Sequence, residues 1–134
     1  MNIQIEQNIG TTLSNFDLNK IAVIDASKNP HKNYTFGQLN QMASSAAVAL
    51  TKLAFKRGSY VAIIADNSAE FLAAFYGIAR AGLVAMPLSP RLSKLQLQEI
   101  LIQTNCVFIF CDPEYRDLVE MPIKIVNFGP DFNA

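Results

Sequence analysis

Two acids four residues apart, Asp66 and Glu70, and a run of four more, Asp112, Glu114, Asp117 and Glu120, are the residues here best suited to holding a cation or moving a proton. Helical spacing puts Asp66 and Glu70 on one face. Glu70 also fits the third position after a helix cap at Asn67, where its charge suits the positive helix end. The run from Asp112 lacks the glycine and ligand spacing of a calcium loop and reads as a solvated face. His31, the single histidine, lies between Pro30 and Lys32 and reads as a turn residue rather than a base or ligand. Ser44 and Ser45 have no Gly-x-Ser-x-Gly frame. Gly77 and Gly82 have the spacing of a phosphate loop but lead into Leu83-Val84 rather than Lys-Ser/Thr, and no Gly-x-Gly-x-x-Gly occurs. Phe71 and Phe75 could line an apolar pocket but read better as core. No catalytic, cofactor-binding or metal-ligating residue is therefore assigned.

Cys106 and Cys111 stand five apart in Cys-Val-Phe-Ile-Phe-Cys. As a strand, this puts them on opposite faces roughly 16 Å apart, whereas a disulfide needs Cα atoms within about 7 Å. Neither has a zinc spacing, so both are expected as free, buried thiols of a cytoplasmic protein. The first residues, Met1-Asn2-Ile3-Gln4-Ile5-Glu6, have neither the basic stretch nor the apolar core of a signal peptide. Phe71 to Leu88 is apolar enough to raise a membrane question. Arg80 near its middle would cost about 2.5–3.5 kcal/mol there, and Gly82 and Pro87 interrupt it as a helix.

The elements that must position these groups read clearly. Ile21–Asp25 is a strand, residues 29–33 a turn, and Tyr34-Thr35 a returning strand, together a small hairpin. Thr35 with Gln38 forms a capping box. Leu39, Met42, Ala43, Ala46, Ala47, Leu50 and Leu53 then mark one face of a long helix, with Gly58 as its left-handed exit. Tyr60–Ala65 is continuously apolar, as in a strand covered on both faces. A second helix, capped by Asn67 and closed by Gly82, leads to a short buried strand, Val84–Leu88. Ser93 with Gln96 caps a third helix, whose stripe is Leu97, Ile100 and Leu101, and Leu92 and Leu97 form a hydrophobic staple. Val107–Phe110 is the next strand, Asp112-Pro113 opens a short helix through Leu118, and Ile123–Val126 is the last strand. This order predicts an α/β fold: a parallel sheet with helices on both faces, preceded by a small hairpin and a long helix. The 134 residues suffice for a single domain spanning 1–134.

Eleven basic and eleven acidic residues cancel, and no basic run marks a nucleic-acid surface. Charged residues make up only 16% and apolar ones 51%, which suggests a surface partly meant to be covered.

Tyr34-Thr35-Phe36-Gly37-Gln38-Leu39 resembles the first core motif of the adenylate-forming (AMP-binding) superfamily. Ile78-Ala79-Arg80-Ala81-Gly82-Leu83-Val84-Ala85-Met86-Pro87-Leu88 resembles the second. Gly58 before a Val-Ala-Ile-Ile strand, then Asn67, Glu70 and Phe71, follow in the family's order. Pro90-Arg91-Leu92 entering a helix is most similar to the acyl-CoA synthetases, the fatty-acid–CoA ligases. The resemblance runs from about Leu13 onward.

It implies an N-terminal scaffold of an enzyme that activates carboxylates with ATP as acyl-AMP and passes the acyl group to CoA. ATP, Mg²⁺ and CoA are implied for such a parent. The phosphate-binding loop and its lysine, the Mg²⁺ glutamate, the ribose aspartate and the C-terminal lysine all belong downstream of the matched segment. The chain alone is therefore expected to be inactive and to hold none of these cofactors. Its implied partner is the rest of the parent chain or a second copy, with no nucleic acid and no transmembrane segment. A stand-alone interaction domain and an unrelated doubly wound nucleotide-binding or receiver-like domain are the alternatives. A receiver would use Asp66 and Asp112 after their strands, but no lysine stands suitably in sequence.

Overall fold

The computed structural model describes residues 8–129 and 132. A 3₁₀ helix, Ile9–Asn15, precedes an antiparallel hairpin of β1 (Ile21–Asp25) and β2 (Lys32–Thr35). The long helix α1 (Phe36–Lys52) follows, then β3 (Tyr60–Ile64), α2 (Ala69–Arg80), β4 (Val84–Leu88), α3 (Lys94–Gln103) and β5 (Phe108–Cys111). A second 3₁₀ helix, Pro113–Leu118, leads to β6 (Lys124–Asn127). The four later strands form one all-parallel sheet in the order β4-β3-β5-β6, as the alternating pattern predicts.

Two apolar layers sandwich that sheet. Val61 and Ile63 of β3, Phe108 and Phe110 of β5, and Phe128 meet Ala74 and Ile78 of α2 and Leu50 of α1. Ala62, Ile64, Ile109 and Cys111 point the other way, onto Leu97 and Leu101 of α3 and Val119. Each central strand is therefore buried on both faces, which is why neither alternates polar with apolar residues. A third cluster, Leu13, Leu39, Ala43 and Ala73, ties the first 3₁₀ helix to α1 and α2. There α1 and α2 nearly touch: a Cβ on Gly77 would lie 2.7 Å from the Ala46 Cβ and 2.8 Å from the Ala43 carbonyl oxygen.

Helix ends follow the expected chemistry with two corrections. Thr35 and Ser93 form complete capping boxes with Gln38 and Gln96. The cap of α2 is Ser68, not Asn67: the Ser68 hydroxyl accepts from the Phe71 amide, which moves the helix start one residue on. The left-handed residue that ends α1 is Ala54, at φ 55°, whereas Gly58 takes φ 82° in the turn before β3. Gly82, at φ 78°, does close α2, with Leu83 donating to the Ile78 carbonyl and Gly82 to that of Ala79.

Two further expectations change. Cys106 precedes β5 instead of lying in it, so both thiols face the α3 layer, where each is buried and free. Burial raises both, Cys111 to about 11. β4, expected to be buried, is the half-exposed edge of the sheet. Among the described residues no helix is long and apolar enough to cross a membrane.

Candidate functional site

Neighbouring parallel strands whose connections leave in opposite directions open a crevice at their carboxyl ends, where ligands of such sheets bind. Here the pair is β3 and β5, paired from Val61–Phe108 to Ile64–Cys111. Asp112 follows β5 directly and Asp66 lies two residues beyond β3, so sheet register brings together acids 46 positions apart. The Asp66 amide donates to Asp112 Oδ2 at 2.8 Å. The Tyr115 hydroxyl, one turn beyond Asp112, lies 3.0 Å from both carboxylate oxygens of Asp66. Glu114 completes a group in which one oxygen of each acid lies within 4.8 Å of the others. Burial raises the Asp112 carboxyl, and Asp66 and Glu70 add like charge. The bond to Asp66 raises the Tyr115 phenol to about 12.

A cavity of about 520 Å³ opens beside these acids, bordered by Ser27, Lys28, Asn67, Glu70 and Phe128. On its hairpin side Asp25, 3% exposed, is the one buried charged residue among those described. Its carboxylate accepts from the Ala69 amide at 2.9 Å, from the Ser27 amide and hydroxyl, and from Lys28. Burial opposes ionisation, but the bonds from Lys28, Ser27 and Ala69 outweigh it and hold the carboxyl well below the usual range. Lys28 also donates to Glu70 Oε2 at 2.9 Å. Burial disfavours its charge, and the two carboxylates more than restore it. Lys28 is thus the lysine beside the paired acids that sequence alone did not place.

Chemically this is a satisfied ion-pair network rather than a poised base. Of the amides at the start of α2, that of Ala69 is taken by Asp25 and that of Phe71 by Ser68. The starts of α1 and α3 are closed by Thr35 and Ser93. No described loop joins Ser, Thr and Gly to a lysine in a phosphate cradle. Asp66, Asp112 and Glu114 have the spacing of carboxylate ligands, though Asp66 and Asp112 already accept internal hydrogen bonds.

The remaining candidates scatter. Asp66 and Glu70 diverge, Glu70 toward Lys28 and Asp66 toward Tyr115. Asp117 is exposed, and Glu120 pairs with Lys94 on the surface. His31 is exposed before β2. Phe71 and Phe75 pack on the core layer beneath α2, and Phe71 also borders two clefts, one beside β1 and one at the carboxyl ends of β3 and β4. Ser44 accepts from Arg80 at 2.6 Å, and Ser45 bonds the Gln41 carbonyl within α1.

A profile of the family described as AMP-binding enzyme matches residues 12–128. The chain is 40% identical over 67 residues to the long-chain-fatty-acid–CoA ligase FadD13 of Mycobacterium tuberculosis, covering 50% of this chain and 13% of that one. To 4-coumarate–CoA ligase 3 of Arabidopsis thaliana it is 29% identical over 98 residues, 73% of this chain and 16% of that one. Among solved structures, a Mycobacterium tuberculosis fatty acyl CoA synthetase aligns over 67% of this chain and 18% of its own, with TM-score 0.63 and 30% identity. The anthranilate CoA ligase AuaEII, in complex with anthranoyl-AMP, aligns over 87% and 23%, with TM-score 0.75 and 23% identity. The chain thus spans 13% and 16% of these two curated relatives.

Proposed function

The chain belongs to the AMP-binding enzyme family, and we propose that it is the N-terminal scaffold of an ATP-dependent acid–CoA ligase that is inactive by itself. In the complete reaction a carboxylate attacks the α-phosphate of ATP, giving acyl-AMP and pyrophosphate, and the CoA thiol then displaces AMP. The acid is of the kind that acyl-CoA and aryl-CoA ligases take, since both sorts of relative match this segment. One observation carries the scaffold reading. The matched motifs serve packing: Thr35 caps α1, Arg80 knots the first 3₁₀ helix to α1 and α2, and Gly82 turns the chain into β4.

Ile9, Ile24, Val48, Leu95 and Ile102 are more than half exposed. We read this surface as covered by a partner, either further polypeptide or a second copy. The two unbridged thiols suit a reducing, cytoplasmic setting. Carboxylate-dependent exchange of labelled pyrophosphate into ATP tests the reading. Exchange above the protein-free rate, surviving repurification, would contradict it.

A further inference from the structure

The two edges of the parallel sheet are unequal. The Val84 amide donates to the Ser59 carbonyl at 2.9 Å, so Val84, Met86 and Leu88 turn their backbone groups toward β3. Alternation leaves Ala85 and Pro87 facing outward. Pro87 has no N–H, so β4 offers an incoming strand a single donor, that of Ala85. β4 is a blunted edge.

β6 is not blunted. The Phe128 amide donates to the Cys111 carbonyl at 2.8 Å, so Lys124, Val126 and Phe128 face β5. Ile125 and Asn127 therefore present two N–H and two C=O groups outward. After β6 the chain turns back, and Phe132 packs on Phe110 and Phe128, inside the edge.

We propose that a second copy of this chain pairs with β6 in antiparallel register about a two-fold axis through Val126. That axis sets Ile125 opposite Asn127 of the other copy twice, so every outward N–H meets a C=O. The charges also agree: Lys124, the strand's one charged residue, falls opposite Phe128 and not against its own copy. Ile123 and Ile125 on one face, and Val126 and Phe128 on the other, extend both apolar layers across the join. The inference rests on the reading above that a partner covers this chain's apolar surface.

Sedimentation equilibrium of the 134-residue chain tests it with two proline variants. Ile125→Pro removes an outward N–H and no internal bond, and should raise the dimer dissociation constant at least about tenfold. Ala85→Pro makes the same change at β4 and should leave dimerisation unchanged. A third variant, Val126→Cys, places a thiol on the axis, where the facing Cα atoms of a non-hydrogen-bonded pair lie about 4.5 Å apart. Oxidised glutathione should then link the two copies within the dimer, whether or not Ile125→Pro folds. A wild-type chain that is monomeric at high micromolar concentration would overturn the inference together with the second-copy reading. A dimer that survives Ile125→Pro, or a Val126→Cys dimer that does not cross-link, would overturn the β6 assignment alone.

Discussion

The Arg80 guanidinium donates through Nε and Nη2 to the Gly10 carbonyl, at 2.9 and 2.7 Å, joining residues 70 apart in sequence. Its Nη1 reaches Ser44 at 2.6 Å, and Nη2 also reaches Asn40 Oδ1 at 2.8 Å. One planar side chain at the last turn of α2 thereby fastens three helices. Arg80→Ala strands the part-buried acceptors of Gly10 and Asn40 and should cost about 2–3 kcal/mol. Arg80→Lys, which keeps the charge but loses the planar fork, should fall between. Urea unfolding checks both. A midpoint for Arg80→Ala equal to wild type would refute the knot.

Asp25 makes stability depend on pH in a definite direction. Its folded-state carboxyl lies below the unfolded value of about 3.9, so the hairpin-to-α2 tie is fully present above that pH. As pH falls through about 3.9 the unfolded chain binds a proton first, and the contribution is lost on approach to the folded pKa. Asp25→Asn, which weakens the bond from Lys28 and that from Ala69, should cost about 2 kcal/mol near pH 7. It should also flatten the acid limb of melting temperature against pH. An acid limb as steep as that of wild type would count against the network.

Gly82 and His31 form a contrasting pair. A Cβ on Gly82 would meet nothing nearer than the Arg57 Cγ at 3.6 Å, so its cost is conformational, from φ 78°. Gly82→Val should destabilise by roughly 1 kcal/mol or more, whereas His31→Ala, at an exposed position, should stay within about 0.5 kcal/mol of neutral. Thermal melts compare them directly, and equal melting temperatures would remove Gly82 from its role.

What was legible in the sequence was whatever neighbours in the chain decide. The capping boxes at Thr35 and Ser93, the helical stripe of α1 and the doubly covered β3 all follow from residues within a few positions of one another. The shift from Asn67 to Ser68 at α2 turned on which of two adjacent polar side chains reaches the Phe71 amide. The candidate site was legible only as acids placed after strands, Asp66 and Asp112, and not as the contacts they make. Asp25 meets Ala69 across 44 positions, and Asp66 meets Asp112 across 46, through hairpin docking and strand register that no local spacing encodes. The exposure of β4 likewise depends on strand order, since an apolar Val-Ala-Met-Pro-Leu run reads the same at an edge as in the middle. Pro87 was the one local hint of an edge.

We propose that this chain carries the family's scaffold without a site for ATP. Calorimetric titration of the purified 134-residue chain with Mg²⁺-ATP tests it most directly. The Ala69 amide of α2 is held by Asp25, and no phosphate cradle exists among the described residues. The predicted result is therefore no saturable heat and no affinity tighter than about 1 mM, or about −4.1 kcal/mol. A saturable isotherm in the micromolar range would contradict it.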